Sequence, residues 1–387
     1  MRVAIISRVF SKAGGGAESY SVAIAEQLCQ HHDIHVFAQE SNHPVEGVTY
    51  HRVWCLSKKP RWVNQLLFAV STWRQTRQGF DVVHSHENTW HGQIQTVHVR
   101  PTRFNLFHGR HGLKLALRWL KVGFSLRLIT YVFLEGARFK FKPGRQLVGT
   151  SQTLRDECEA AYPGSASMLS VITPGTSVPL LAVTREQARE HARARMGVKL
   201  HGVYLLFVAN DYARKGLKAL LEALALCPKQ VTLWVVGNTQ QAPRFRVLAT
   251  QLNVQDRVEF LGSLEDMSSV YAAADCLVHP TLEDSFAMVV LEAMAHQIPV
   301  VVSGPEHCGI SKQLQSGQQA LLLDEPTNAK TLAALIVQVL ESPVLRDHLI
   351  HNALAFAQQH TWARAAQSYE ALYQQTLEHL AHDHAVH

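Results

Sequence analysis

No stretch of about 18 uncharged apolar residues occurs anywhere in the 387-residue sequence, so no membrane-spanning helix is expected. There is no Asp-x-Asp pair, and a bridging divalent metal is therefore not expected. The six cysteines, Cys29, Cys55, Cys158, Cys227, Cys276 and Cys308, show no CxxC spacing. That argues against a zinc site or a disulfide frame and for free thiols in a reducing, cytoplasmic setting. The opening strand-like stretch Met1–Ser7 is too short for a secretory signal. Charged residues are only 18% of the chain against 47% hydrophobic, which excludes wholesale disorder.

The charge that is present is unevenly placed. Eleven Lys or Arg residues face one acid, Glu135, between Arg100 and Arg145, so most of the net +6 has a local origin. Such a segment points to one anionic partner surface rather than a generally basic protein. Within it, Lys114, Arg118 and Lys121 form a helical stripe beside Leu115, Leu117, Trp119, Leu120 and Phe124. Leu113 to Leu128 thus reads as an amphipathic helix lying on an anionic membrane surface, with Arg110 at its approach. No RNA-binding motif accompanies the basic residues, so no nucleic-acid partner is expected.

Apolar runs alternate with helical periodicity twice along the chain. Val3–Ser7, Ile34–Ala38, Asp81–His84, Gln93–His98, Gln146–Thr150 and Met168–Ile172 read as strands of one parallel unit. After a polar stretch from Pro179 to His201, a second series runs from Val203–Ala209 to Pro299–Ser303, and the chain after Pro326 is helical. These patterns predict an α/β protein of two doubly wound, Rossmann-like domains facing across a cleft. Their expected bounds are 1–178 and 179–360. Residues 361–387 are expected to form a helix packing back on the first domain, with a flexible tail carrying His379, His382, His384 and His387.

Ligands of such sheets bind at strand C-terminal ends, where helix N-termini offer free N–H groups. Four segments fall there. The loop Gly14-Gly15-Gly16-Ala17-Glu18 lets backbone approach a phosphate or sugar. Arg214-Lys215-Gly216 places two cations before a helix, suited to an anionic group. In His279–Met294, Asp284 or its neighbour Glu283 follows a strand and Glu292 lies within an apolar helix, where an unpartnered acid is costly. His98 ends the segment Thr96-Val97-His98 as a positioning group or proton handler, with His84 and His86 as lesser candidates.

Taken together these motifs resemble glycosyltransferase family 4, of the GT-B fold, and within it the lipopolysaccharide-core glucosyltransferases and related mannosyltransferases. The resemblance rests on Gly15-Gly16-Ala17-Glu18, Ile172-Thr173-Pro174-Gly175, Arg214-Lys215-Gly216 and Leu291-Glu292-Ala293-Met294, with the family's first-domain histidine falling on His98. Two positions depart from the family: Asp284 stands where Glu is usual, and Ala287 where Gly is common.

The resemblance implies retaining transfer of a hexose from a nucleoside diphosphate donor, UDP-sugar favoured, without cofactor or metal. Arg214 and Lys215 would neutralise the leaving diphosphate, and Asp284, Ser285, Phe286, Ala287 and Met288 would hold sugar and phosphate. Glu292 would bind the ribose, and the loop at Leu264 would line the base. The acceptor would be a lipid-linked or lipopolysaccharide-type molecule on the inner face of the membrane. Alternatives are a GDP-mannose-type donor with a polysaccharide or lipid-linked acceptor, a nucleotide-sugar epimerase or hydrolase, and a non-catalytic sugar-nucleotide binder.

Overall fold

The computed structural model describes residues 1–12, 15–55, 59–179, 183–264 and 266–386, the last five by backbone alone. Gly14, His387 and the side chains of His382 and His384, on which expectations fell, lie outside that description. The chain divides into two compact units, Met1–Pro174 with Trp362–His387, and Gly175–Thr361.

Unit 1 contains β1 (Arg2–Ile6), β2 (Val9–Phe10), α1 (Gly16–Leu28), β3 (Asp33–Ala38), β4 (Glu40–Ser41), β5 (Val48–Arg52), α2 (Arg61–Thr76), β6 (Val82–Ser85) and β7 (Ile94–Val97). It continues through α3 (Thr102–Phe107), α4 (Gly112–Gly123), α5 (Leu126–Phe139), β8 (Gln146–Gly149), α6 (Gln152–Ala161) and β9 (Leu169–Val171). Seven parallel strands run in the order β5-β3-β1-β6-β7-β8-β9, and β2 and β4 pair apart from them. The central strand is short and apolar because helices cover both its faces: Val3 to Ile6 are all fully buried.

Unit 2 holds α7 (Arg185–Met196), β10 (Val203–Val208), α8 (Leu217–Leu226), β11 (Val231–Val236), α9 (Ala242–Gln251), β12 (Val258–Gly262), α10 (Met267–Ala273) and β13 (Cys276–His279). It ends with α11 (Met288–Ala295), β14 (Val300–Ser303), β15 (Leu321–Leu323), α12 (Ala329–Glu341) and α13 (Pro343–Gln359). Its six parallel strands follow the order β12-β11-β10-β13-β14-β15. Local chemistry sets the helix ends: Thr184 and Gln187 form a capping box on α7, whose C-cap Gly197 takes the left-handed conformation at φ 68°. The last helix, α14 (Trp362–Val386), belongs to unit 1 and packs on α1. It continues regularly through the segment expected to be a flexible tail.

Two sequence expectations about the basic segment are corrected by the structure. The amphipathic stretch Leu113–Leu128 is not one helix. It breaks at Phe124, and the Ser125 hydroxyl caps a new helix by accepting from the Leu128 N–H. Nor is the whole basic segment available to an anionic surface. Arg138 and Arg145 are only 6% and 4% exposed, and they donate to backbone carbonyls, Arg138 to Thr96 and Arg145 to Ala137, Arg138 and Trp90. Helix α2, a segment to which the sequence reading assigned no element, buries Asn64, Gln65, Thr72 and Thr76 beside Phe68 and Ala69.

Candidate active site

In unit 2 the strand order reverses between β10 and β13, so their C-terminal ends define the switch point where an open parallel sheet binds ligands. The chain leaving β10 carries Arg214 and Lys215, and the chain leaving β13 carries Glu283 and Asp284. Gly216 lets the two loops meet. Its φ is +83°, and a Cβ there would lie 1.8 Å from the Pro280 carbonyl oxygen, so no other residue fits without moving backbone. The Leu282 N–H donates to the Arg214 carbonyl at 2.9 Å, closing the junction.

The two cations and two acids then pair off. Lys215 Nζ lies 2.6 Å from Asp284 Oδ2 and donates to the Glu283 carbonyl at 3.0 Å. Arg214 Nη2 meets Glu283 Oε1 at 2.8 Å in a more exposed pair. His279 Nε2 is 3.0 Å from the same Asp284 oxygen, while Asp284 Oδ1 accepts from the Phe286 and Ala287 N–H groups. Burial alone would raise the Asp284 carboxyl, but the His279 hydrogen bond and the Lys215 ammonium outweigh it and hold it well below the usual carboxylate range. Both oxygens of Asp284 are thus occupied by four donors that shape the loop. Lys215 keeps one of its three N–H donors beyond these two contacts.

That loop delivers the chain into α11. Ala287, the residue before the helix, takes φ 72° and ψ 69°, a left-handed conformation that a Cβ disfavours by about 1–2 kcal/mol. The Met288 and Val289 N–H groups at the helix start have no acceptor among the described hydrogen bonds and carry the positive end of the helix dipole. Ser285 is half-buried in the same turn, and Phe286 and Ala287 are buried. One turn into α11, Glu292 Oε2 accepts from the Tyr271 hydroxyl at 2.7 Å. Burial raises the Glu292 carboxyl and the Tyr271 bond offsets this in part. Oε1 has no partner among the described hydrogen bonds. Leu264 is exposed after β12.

In unit 1 the corresponding reversal falls between β1 and β6. After β1, Gly15 caps α1 with an extended φ of 174°, and Gly16 is the first helical residue. His98 follows β7, next to β6, with Nε2 at 3.0 Å from His86 Nδ1 and its ring edge-on to Tyr20 at 5.0 Å. Burial and the nearby Arg138 guanidinium push His98 down to about 3, so it is neutral at pH 7. His84 has a different place: it is fully buried, with Nδ1 2.7 Å from the Tyr373 hydroxyl and Nε2 2.7 Å from Thr96 Oγ1. Arg110 turns to the Asn105 and Leu106 carbonyls, while Lys114 and Lys121 stay exposed on α4 beside Leu113, Leu117 and Trp119.

Sequence reasoning missed His279, Tyr271 and Arg138, while His86, a lesser candidate, does lie against His98. His279 alone of the three had a signal, as the last residue of β13. The other two are linked to the site only through tertiary packing.

Two parallel-sheet Rossmann-like units, with a cation–carboxylate cluster at a switch point, define a GT-B glycosyltransferase architecture. Residues 14–178 match the family Glycosyltransferase Family 4, and residues 188–356 match Glycosyl transferases group 1. The chain belongs to this glycosyltransferase family. It is 28% identical over 246 residues to lipopolysaccharide glucosyltransferase WaaG of Escherichia coli (strain K12), covering 61% of this chain and 64% of that one. The chain thus matches somewhat less than two thirds of that curated relative's length. Among solved structures, that of WaaG, a glycosyltransferase involved in lipopolysaccharide biosynthesis, superposes with TM-score 0.82 at 20% identity, covering 95% of this chain and 98% of that one. Anabaena HepE, solved with UDP and glucose, gives TM-score 0.74 at 20% identity, covering 97% and 100%.

Proposed function

We propose that the chain transfers a hexosyl group from a nucleoside diphosphate sugar, UDP-sugar favoured, to a glycolipid or lipopolysaccharide-type acceptor, with retention at the anomeric carbon and without a metal. The observation that carries this is the Lys215–Asp284–His279 cluster beside the open N-terminus of α11. The α11 N–H groups and the remaining Lys215 donor take phosphate oxygens, and Arg214 approaches from the more exposed side. The free Glu292 oxygen accepts from a ribose hydroxyl, held in place by Tyr271. Transfer then follows with balanced bonds. The acceptor oxygen bonds to the anomeric carbon as the bond to the β-phosphate oxygen breaks on the same face, and the acceptor's proton passes to that departing oxygen. Negative charge grows on the diphosphate, where the held cations stabilise it. His98, neutral and oriented by His86, is the proposed sugar-positioning group of unit 1. The related glucosyltransferase and the neighbour solved with UDP and glucose support the donor class.

The α4–α5 surface supports an acceptor drawn from a membrane. Leu113, Leu120, Phe124 and Leu126 are each more than half exposed, beside Lys114, Lys121 and Arg127. The chain would then work peripherally on an anionic inner leaflet. None of its described helices is long and apolar enough to cross a membrane.

The decisive assay incubates the protein with UDP-glucose and a lipopolysaccharide-core acceptor in excess EDTA and reads the product anomer by NMR. An α-linked product from the α-donor, formed at full rate in EDTA, is expected. A β-linked product, or activity that needs added magnesium or manganese, overturns the proposal. GDP-mannose in parallel tests the other donor.

A further inference from the structure

Unit 1 carries a second concavity at the opposite edge of its sheet from His98. It opens where β6, β7 and β8 begin, and its lining includes Trp73, Arg77, His91, Lys142 and Arg145. Its volume is about 350 Å³, within the range of small-ligand pockets. No acidic residue lines it. Arg77 follows the C-terminus of α2, where one cation offsets the partial negative charge of the helix end. Lys142 and Arg145 have no such counterpart, and neither forms an ion pair among the described residues.

The lining is built rather than incidental. Arg145 is buried and spends its two terminal nitrogens on backbone carbonyls, including that of Trp90 at 2.7 Å, yet its Nε–H has no partner. Both ring nitrogens of His91 are likewise buried and unpartnered. Leaving such groups unsatisfied is costly, so a ligand that pairs them is stabilised. The loop holding His91 is itself fixed. The Thr89 hydroxyl donates to the His91 carbonyl at 3.1 Å, the Gln95 amide donates to the same oxygen, and Gly92 takes φ +100° with room for a Cβ only 3.1 Å from the Val83 carbonyl. Trp73 offers a partly exposed indole at the rim.

We propose that this cavity is a second, non-catalytic anion site that takes the phosphoryl group of a phosphomonoester. Arg145 Nε and His91 bind the phosphoryl oxygens, Arg77 and Lys142 close over the charge, and the organic body packs on Trp73. The phosphomonoester is either a soluble sugar phosphate or the headgroup of a lipid. Because the cavity lies at the strand N-terminal edge, its ligand is not a reactant at His98 and acts by recognition or regulation.

Calorimetry of the full chain with glucose 6-phosphate, and co-sedimentation with phosphatidylcholine vesicles containing phosphatidic acid in a Lys114→Glu/Arg118→Glu/Lys121→Glu background that removes the α4 membrane contact, test this. The Arg77→Gln/Lys142→Gln double variant changes two exposed side chains and should fold as the parent, checked by circular dichroism. Loss of two charge-assisted hydrogen bonds should weaken binding about 100-fold. Lys215→Ala, which alters the unit 2 cluster, should leave it unchanged. Glucose 6-phosphate binding that the double variant loses identifies a soluble ligand. Vesicle binding that the double variant loses, without soluble binding, identifies a lipid-borne one. If neither probe binds the parent, if the double variant binds both equally well, or if Lys215→Ala abolishes binding, the second site does not exist.

Discussion

Replacing Asp284 by Asn keeps the shape of the side chain and removes its charge, and the structure says what should follow. The Asn oxygen still accepts from the Phe286 and Ala287 N–H groups, where Asp284 Oδ1 does so now. The other arm becomes an amide donor facing the Lys215 ammonium, which sits 2.6 Å from Asp284 Oδ2. His279 can adjust its tautomer to accept, but Lys215 has no acceptor arm and is left with the Glu283 carbonyl alone. Breaking one side of a buried ion pair costs about 3–5 kcal/mol; since these side chains keep 19% and 16% exposure, the lower end, about 3 kcal/mol, applies. For a unit of this size that is a fall in Tm of roughly 6–12 °C. The effect must also depend on pH. The Asp284 carboxyl is depressed in the folded protein, so its contribution is complete above the unfolded value of about 3.9 and is lost as pH falls through the folded one. Parent and variant should therefore converge in stability as the solution is acidified below about pH 4. Activity should fall on the order of 10²-fold, because the displaced Lys215 no longer meets the leaving phosphate. Scanning calorimetry from pH 3 to 8 with initial-rate assays reads both. If Asp284→Asn melts within a degree of the parent at pH 7 and turns over normally, while Glu283→Gln is dead, the pairing scheme is wrong and Glu283 holds the site.

Glu292→Ala should weaken UDP binding on the order of tenfold or more by calorimetry, and Tyr271→Phe should weaken it less, since it frees rather than removes the carboxylate; unchanged UDP affinity in Glu292→Ala would refute the ribose role. Ala287→Gly relieves about 1–2 kcal/mol of left-handed strain but loses a buried methyl worth about 0.8 kcal/mol and gains unfolded-state freedom of about 0.5–1 kcal/mol. Its Tm should therefore stay within about 4 °C of the parent, and a large fall would mean that the Cβ contributes more packing than one buried methyl. Lys114→Glu/Arg118→Glu/Lys121→Glu should release the protein from anionic vesicles while leaving UDP binding intact; equal co-sedimentation would count against the membrane surface.

Much of unit 2 was legible because each of its strands is a short apolar run bounded by turn residues. The strands expected at Val203–Ala209 and Pro299–Ser303 are found at Val203–Val208 and Val300–Ser303. Unit 1 was harder for identifiable reasons. Strand Val48–Arg52 lies at a sheet edge with polar, half-exposed residues, and Val9–Phe10 pairs over two residues only. For the site, the motif around Arg214, Lys215 and Glu292 stood out because cations and acids on apolar elements need partners. Which acid serves which cation did not, because Glu283 and Asp284 are adjacent and only the turn through Thr281 and Leu282 decides which one points inward. Arg138 was counted among surface charges because composition cannot distinguish a guanidinium in solvent from one donating to the Thr96 carbonyl.

The closing helix gives the chain an order of assembly. Tyr373 and Tyr369 on α14 reach under the first sheet, where Tyr373 meets His84, and Tyr369 meets Thr96 at 2.7 Å and Tyr20 at 2.9 Å. During synthesis, residues 1–174 emerge with these polar groups in place but without the hydroxyls that satisfy them. All of unit 2 is then made, which takes on the order of ten seconds or more, before the missing tyrosines leave the ribosome. The first unit to be made is thus the last to be finished. A chain stopped short of Tyr369 would carry a folded second unit beside a first one whose buried His84 and Thr96 keep each other but lose the Tyr373 and Tyr369 hydroxyls.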